Sequence, residues 1–178
     1  MAICASTWHS MAIACHPPFL NAGWVYTWGS GYHGQLAQGT RQIALLPAPV
    51  EYFLTYHLTI KQIFAGSHHC AAVTLEGELY TWGSNKNGCL GRKADMGGTE
   101  FTATPGHCGG FGALVDKVGR GFPRHVALGR EFTIVCTHPY QGPDLDIATK
   151  LMEEAKIREQ EEMLAAGALG TSAEESMS

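Results

Sequence analysis

Apolar residues in this chain come in short runs, each closed by a turn residue, and the runs favour strands. Residues 70–75 and 78–82 are β-prone and are separated by Glu76-Gly77, which predicts a hairpin. Ile60 and Ile63 with Phe64 predict a strand leading into Ala65-Gly66, and residues 50–54 predict another, entered through Pro47 and Pro49. Ile3-Cys4 reads as a strand in the middle of a unit, with only Met1-Ala2 ahead of it. Past Pro143 the spacing turns helical. Asp144 stands as an N-cap, Asp146 sits in the first turn, and Leu145, Ala148, Leu151, Met152 and Ala155 form a short apolar stripe. Glu154 and Arg158 are an i,i+4 pair, the stripe fades at Arg158-Glu159, and Gly167 closes the helix.

A repeat organises the strands. Gly23-Trp24-Val25-Tyr26-Thr27-Trp28-Gly29-Ser30 returns as Gly77-Glu78-Leu79-Tyr80-Thr81-Trp82-Gly83-Ser84, and Gly34-Gln35-Leu36 returns as Gly88-Cys89-Leu90, always 54 positions on. A second element precedes each copy. Ala5-Ser6-Thr7-Trp8-His9-Ser10-Met11-Ala12 aligns with Ala65-Gly66-Ser67-His68-His69-Cys70-Ala71-Ala72, and a weaker third copy begins at Leu128-Gly129-Arg130-Glu131-Phe132. About four short strands fall in each period, which is the signature of a propeller blade. After the third copy no Tyr-Thr-Trp-Gly follows, and the chain leaves the pattern at His138-Pro139-Tyr140.

Composition sharpens the boundary at Pro143. Residues 1–143 carry nine Lys or Arg and seven Asp or Glu, a charge of +2, whereas residues 144–178 carry three and nine, a charge of −6. All nine His, all six Cys and every aromatic residue precede the boundary, with 20 of the 22 Gly. The glycines are the turn inventory of the strands. A body at only +2 has little electrostatic support for direct nucleic-acid binding. No apolar run reaches the roughly 18 residues of a membrane span. The first twenty residues lack a basic start and are interrupted by His9, His16 and Pro17-Pro18, unlike a secretory signal. Six widely spread cysteines then suggest reduced thiols in the cytoplasm or nucleus.

Candidate chemistry dissolves against the repeat. Gly29-Ser30-Gly31-Tyr32-His33-Gly34 spells GxGxxG, but its copy Gly83-Ser84-Asn85-Lys86-Asn87-Gly88 lacks the middle glycine and no helix pattern follows either. The glycines kept in both copies are turn glycines. There is no CxxC, HxxxH or HExxH for zinc, and His68-His69-Cys70 and His107-Cys108 are adjacent pairs, awkward for joint ligation. His9 and His69 share one repeat position, as a buried hydrogen-bonding residue bracing a turn would. Trp28, Trp82, Tyr26 and Tyr80 recur and read as packing. No catalytic residue, metal or cofactor is expected.

The order Gly-x-x-His, Gly turn, Tyr-x-Trp-Gly, Gly-Gln-Leu resembles the repeats of the regulator of chromosome condensation family over residues 2–137. The resemblance implies an all-β fold, an incomplete β-propeller of two blades plus the last strands of a preceding blade, followed by a C-terminal α-helix. The expected organisation is 1–22 as the last strands of a preceding blade, 23–76 as the first repeat unit and 77–143 as the second. Within the second, residues 92–124 form a Gly-rich, loop-like excursion. An acidic helix then spans 144–167, and 168–178 are a disordered tail. A seven-bladed family ring needs roughly 400 residues at this period, so one 178-residue chain cannot close it. The chain is expected to be a fragment whose missing blades come from a longer chain or from self-association, and to be oligomeric or poorly soluble alone.

The implied function is a non-enzymatic protein-protein interaction module, part of a larger regulatory or signalling protein. One family branch exchanges guanine nucleotide on the small GTPase Ran; others serve as recognition parts of HECT-type ubiquitin ligases. Both remain alternatives. The partner is expected to be a protein, a small GTPase among the candidates, bound through loop residues: Tyr32, His33, Lys86, Asn87, His107 and Phe111.

Overall fold

Glu76-Gly77 turns the chain as its composition predicts. Gly77 adopts φ +79°, a conformation strained for any side chain, and its N–H donates to Thr74 O at 3.1 Å. Thr74 Oγ1 accepts from the Glu78 N–H at 3.1 Å and pins the far side. The computed structural model describes residues 2–16, 19–92, 99–109 and 121–138. These form β1 (Ala2–Ala5), β2 (His9–His16), β3 (Phe19–Gly29), β4 (Ala44–Pro49), α1 (Glu51–Thr55), β5 (Ile60–Ala65), β6 (His69–Thr74), β7 (Leu79–Ser84), β8 (Phe101–Cys108), β9 (Phe122–Leu128) and β10 (Thr133–His138).

The strands group into antiparallel meanders. β1, β2, β3 and β4 pair in sequence, with Ala2 opposite Ile13, Ile13 opposite Val25 and Tyr26 opposite Pro49. β5, β6, β7 and β8 repeat the order, with Ile63 opposite Ala72, Ala72 opposite Tyr80 and Tyr80 opposite His107. One backbone pair, Gly23 with Ile60, links the two meanders. β9 and β10 open a third, with Val126 opposite Val135. The architecture is an incomplete β-propeller of open, antiparallel sheets. In the 54-residue repeat the strands fall two, four and four; in the sheets they fall four, four and two. Each repeat therefore starts in one sheet and ends in the next, which ties neighbours together covalently.

Two local expectations change. Residues 50–54 are not a strand: the strand lies earlier, in β4, and Glu51–Thr55 is helical. Pro47 and Pro49 lack an N–H, and β4 tolerates them because among the described residues it pairs only with β3. The helical turn drops Phe53 into the core and leaves Glu51 and Tyr56 outside. The excursion at 92–124 contains a strand, β8, in which Gly106-His107-Cys108 take part. Gly106 is there because the Arg92 guanidinium occupies the space its side chain would need. Ile3-Cys4 lies in β1, which pairs with β2 and stands, among the described residues, first in its sheet. The helix expected at 144–167 and the tail at 168–178 lie outside the described residues. No helix among the described residues is long and apolar enough to cross a membrane.

The core sits between sheets. Met11, Ile13 and Val25 of the first sheet, with Val50 and Phe53 at α1, close on Ile60, Ile63, Ala72, Tyr80 and Trp82 of the second. Phe53 meets Trp82 and Tyr80 edge-on, with ring centroids 5.7 and 5.8 Å apart. Such a pair adds about 0.5–1.5 kcal/mol to the burial of its rings. Every residue of β6 is buried. A second, smaller cluster joins Ala71, Val73, Leu79 and Cys108 to Val126 of the third sheet, with Val135 partly buried against it.

Candidate interaction surface

A corner repeated in both complete sheets holds the loops at one end of the molecule. Gly29 and Gly83 have φ +108° and +99°, and a Cβ at either would collide with backbone of the preceding turn. The next amides fasten that corner: Ser30 N–H donates to Trp8 O at 2.8 Å and Ser84 N–H to His68 O at 2.9 Å. Thr27 Oγ1 donates to Leu36 O at 2.6 Å and Thr81 Oγ1 to Leu90 O at 2.8 Å. The same hydroxyls receive Gln38 Nε2 at 3.2 Å and Arg92 Nε at 3.2 Å. A threonine buried inside each sheet thus anchors the loop that leaves it.

The two histidines at the shared repeat position brace the corners from below. Ser6 Oγ lies 2.9 Å from His9 Nδ1, and His9 Nε2 lies 2.9 Å from Cys70 Sγ in the next sheet. His69 Nε2 reaches Thr133 Oγ1 of the third sheet at 3.0 Å. Burial, with His68 and His69 adding repulsion, lowers the His9 pKa to about 4. Burial pushes the Cys70 thiol well up, with Cys4 reinforcing it. Thiolate and imidazolium are both disfavoured, so the pair is a neutral brace and not an activated nucleophile. Among the described residues no three His, Cys, Asp or Glu side chains gather to hold a metal ion.

Side chains carried by these corners form an exposed rim. Tyr32 and His33 are exposed, and His33 packs edge-on against His68 at 4.6 Å. Arg41 Nε donates to Tyr32 O at 2.6 Å, and its guanidinium lies over the Phe101 ring at 4.5 Å. Lys86 Nζ and Asn87 Nδ2 both donate to the Glu131 carboxylate, at 2.7 and 2.8 Å. Partial burial lowers the His68 pKa, and His33 and Arg130 nearby lower it further, while Glu131 opposes them. Lys86 holds the Glu131 carboxyl below its ordinary value through their hydrogen bond.

Four of the six residues singled out in the sequence, Tyr32, His33, Lys86 and Asn87, lie on loops that leave the same end of their sheets. His107 does not join them. It pairs in register with Tyr80, at the far end of β7 from Ser84, and its ring lies 5.3 Å from that of Tyr80. Phe111 lies outside the described residues. Sequence reasoning missed His68, Arg130 and Glu131. Their signal was the turn position filled by Trp8, His68 and Glu131 in the three copies, where the repeat holds its backbone but changes its side chain.

Repeated four-stranded sheets bearing a loop rim define a propeller-type repeat protein. The profile described as the regulator of chromosome condensation (RCC1) repeat matches residues 22–73 and 76–136, and a second profile of that description matches 60–89. The chain belongs to this repeat family. It is 37% identical over 113 residues to the ultraviolet-B receptor UVR8 of Arabidopsis thaliana, covering 64% of this chain and 23% of that receptor. The secretion-regulating guanine nucleotide exchange factor of Mus musculus is 35% identical over 118 residues, 66% of this chain and 23% of that protein. The chain thus spans under a quarter of these relatives' lengths. Among solved structures, human WBSCR16 superposes with a TM-score of 0.60 at 22% identity, over 77% of this chain and 30% of that one. Yeast RCC1 (Prp20), solved with Kap60, gives 0.58 at 23%, over 77% and 27%. These two likenesses concern the fold.

Proposed function

We propose that the chain is a non-enzymatic protein-interaction module of the RCC1-repeat type, acting in a larger regulatory assembly in the cytoplasm or nucleus. The missing blades come from a longer chain or from self-association. The observation that carries this reading is the rim of Tyr32, His33, Lys86 and Asn87 on corners fixed by buried threonines and left-handed glycines. Rigid corners lower the ordering cost of presenting loop side chains to a partner. The test replaces Tyr32, Lys86 or the exposed strand residue Lys61 by a photo-crosslinking amino acid in cells. Adducts to a common protein at 32 and 86, and none at 61, support the reading; equal labelling at all three, or none anywhere, contradicts it.

A second reading, guanine-nucleotide exchange on a Ran-like small GTPase, draws on the 35% identity to the secretion-regulating exchange factor. It requires faster release of labelled GDP from Ran in the presence of the chain. An unchanged rate removes it and leaves the interaction reading in place.

A further inference from the structure

His33 and His68 face each other across the seam between the first and second sheets, with ring centroids 4.6 Å apart and planes at 76°. His33 is exposed on the loop after β3, and His68 is half-buried on the turn before β6. Lys86 from the loop after β7, and Arg130 and Glu131 from the turn before β10, also act on His68. Buried His9 of β2 feels its charge as well. The one acid in this group is Glu131, and Lys86 and Asn87 already hold its two oxygens at 2.7 and 2.8 Å. Among the described residues neither imidazole of the pair, nor the Arg130 guanidinium, makes a side-chain hydrogen bond. Two imidazoles so close, beside Arg130, repel each other once protonated, and no free carboxylate in the group offsets that repulsion. The corner itself uses only the backbone here. The turn position carries Trp8, His68 or Glu131 in the three copies, while its carbonyl accepts the same corner bond at 8 and at 68.

We propose that the rim receives an acidic segment of its protein partner, whose carboxylates lodge against His33, His68 and Arg130, and that this contact tightens as pH falls. The inference rests on the interaction reading and adds the partner's chemistry and its regulation. Burial, with His33, Arg130 and Lys86 adding repulsion, holds the free His68 imidazole below its ordinary value and so largely uncharged at neutral pH. A carboxylate laid beside the pair favours the imidazolium form and forms charge-assisted hydrogen bonds with it. The bound chain therefore carries more protons than the free one, and affinity rises as pH falls. The rise levels off once the free pair is protonated too. Arg130 supplies the charge that does not titrate, and its fork suits a carboxylate. A nucleic-acid backbone fits this rim less well. Glu131 stands within it, and the Asn85 N–H donates to Glu100 O at 2.7 Å, which brings a second acidic residue to the same corner.

The probe is a rhodamine-labelled peptide, Gly-Asp-Asp-Asp-Asp-Gly, titrated with the full chain and read by anisotropy between about pH 7.5 and about pH 5.5, where aspartate stays ionised. Saturable binding is expected, at least about tenfold tighter at the lower pH, which corresponds to one imidazole raised by about one pKa unit on binding. His33→Gln with His68→Gln should remove that gain. His57→Asn should keep it. That exposed histidine lies between β4 and β5, at the other end of the sheets, and its φ of +53° suits Asn. No saturable binding up to millimolar chain overturns the proposal, as does an affinity flat with pH or a gain that survives the double substitution. Equal binding of the Gly-Asn-Asn-Asn-Asn-Gly peptide overturns it as well, and so does tighter binding of a single-stranded DNA of equal charge. Crosslinks at 32 and 86 without pH-dependent peptide binding would sink this inference alone. Peptide binding with the expected profile but no crosslinks would keep the acidic-ligand site and sink the reading of a common protein partner.

Discussion

Trp28 and Trp82 occupy one position of one repeat, yet they live in different surroundings. Both follow Tyr-Thr, both precede a left-handed glycine, and both have a neighbouring threonine hydroxyl bonded to a carbonyl nine residues on. Trp82 is 0% exposed, wedged against Phe53 and bonded to Gln35 O. Trp28 is only partly buried. The difference is the presence of a sheet alongside. Local geometry belongs to the repeat; burial belongs to the neighbour, as expected when each unit packs chiefly on the next. The same contrast separates β6, buried throughout, from outward apolar residues such as Ile3 at 72% and Leu45 at 87% exposure in the first sheet. Surfaces of that kind mark association sites in soluble proteins.

The largest expected break in the comparison comes from truncating the two tryptophans. Trp82→Ala should lower stability by about 3–5 kcal/mol, the range for a large aromatic removed from a core. Trp28→Ala should cost less, about 2 kcal/mol, since part of its surface already meets solvent. Urea unfolding of the two variants reads the difference, and equal losses would mean that the second sheet gains nothing from its neighbour.

Acid should act through the brace between the sheets. His9 titrates near 4 in the folded chain and near 6.5 when unfolded, so the unfolded chain takes up its proton first as pH falls. Its contribution is complete above about pH 6.5 and is lost between there and pH 4, at most about 3 kcal/mol. His69, lowered by the same burial, adds to the slope in the same direction. The pH profile of the unfolding midpoint should flatten in His9→Gln; a profile as steep as the parent's would show that His9 is not the group responsible.

Thr27→Val and Thr81→Val test the shared part of the comparison. Each removes the donor to a loop carbonyl, and each should cost about 1–2 kcal/mol, the two agreeing within about 0.5 kcal/mol. Thermal melts that separate them widely would show that the corners are not equivalent. The smallest effect belongs to the rim. Lys86→Ala breaks an exposed ion pair with Glu131 and should change stability by less than about 0.5 kcal/mol. A larger loss in calorimetry would make the rim structural.

The strands, their hairpin and the repeat were legible because turn glycines and Tyr-Thr-Trp-Gly act within a few residues. What escaped was decided at a distance. The tolerance of β4 for Pro47 and Pro49 depends on its pairing, among the described residues, with β3 alone, and the strand through Gly106 depends on Arg92 filling its missing side chain. Of the rim, Tyr32, His33, Lys86 and Asn87 were visible as loop residues beside repeated glycines. Glu131 was not, because its turn, 44 or 45 residues beyond Asn87 and Lys86, had to be folded against them first, and His68 was not, because it meets His33 across 35 residues of chain.

Amide hydrogen exchange, resolved by strand, tests the central claim most directly. A filled seam beside an open one requires slow exchange in β6 and β7 and fast exchange in β10, whose edge has no partner strand among the described residues. Protection of β10 equal to that of β7 in the isolated chain would contradict the account.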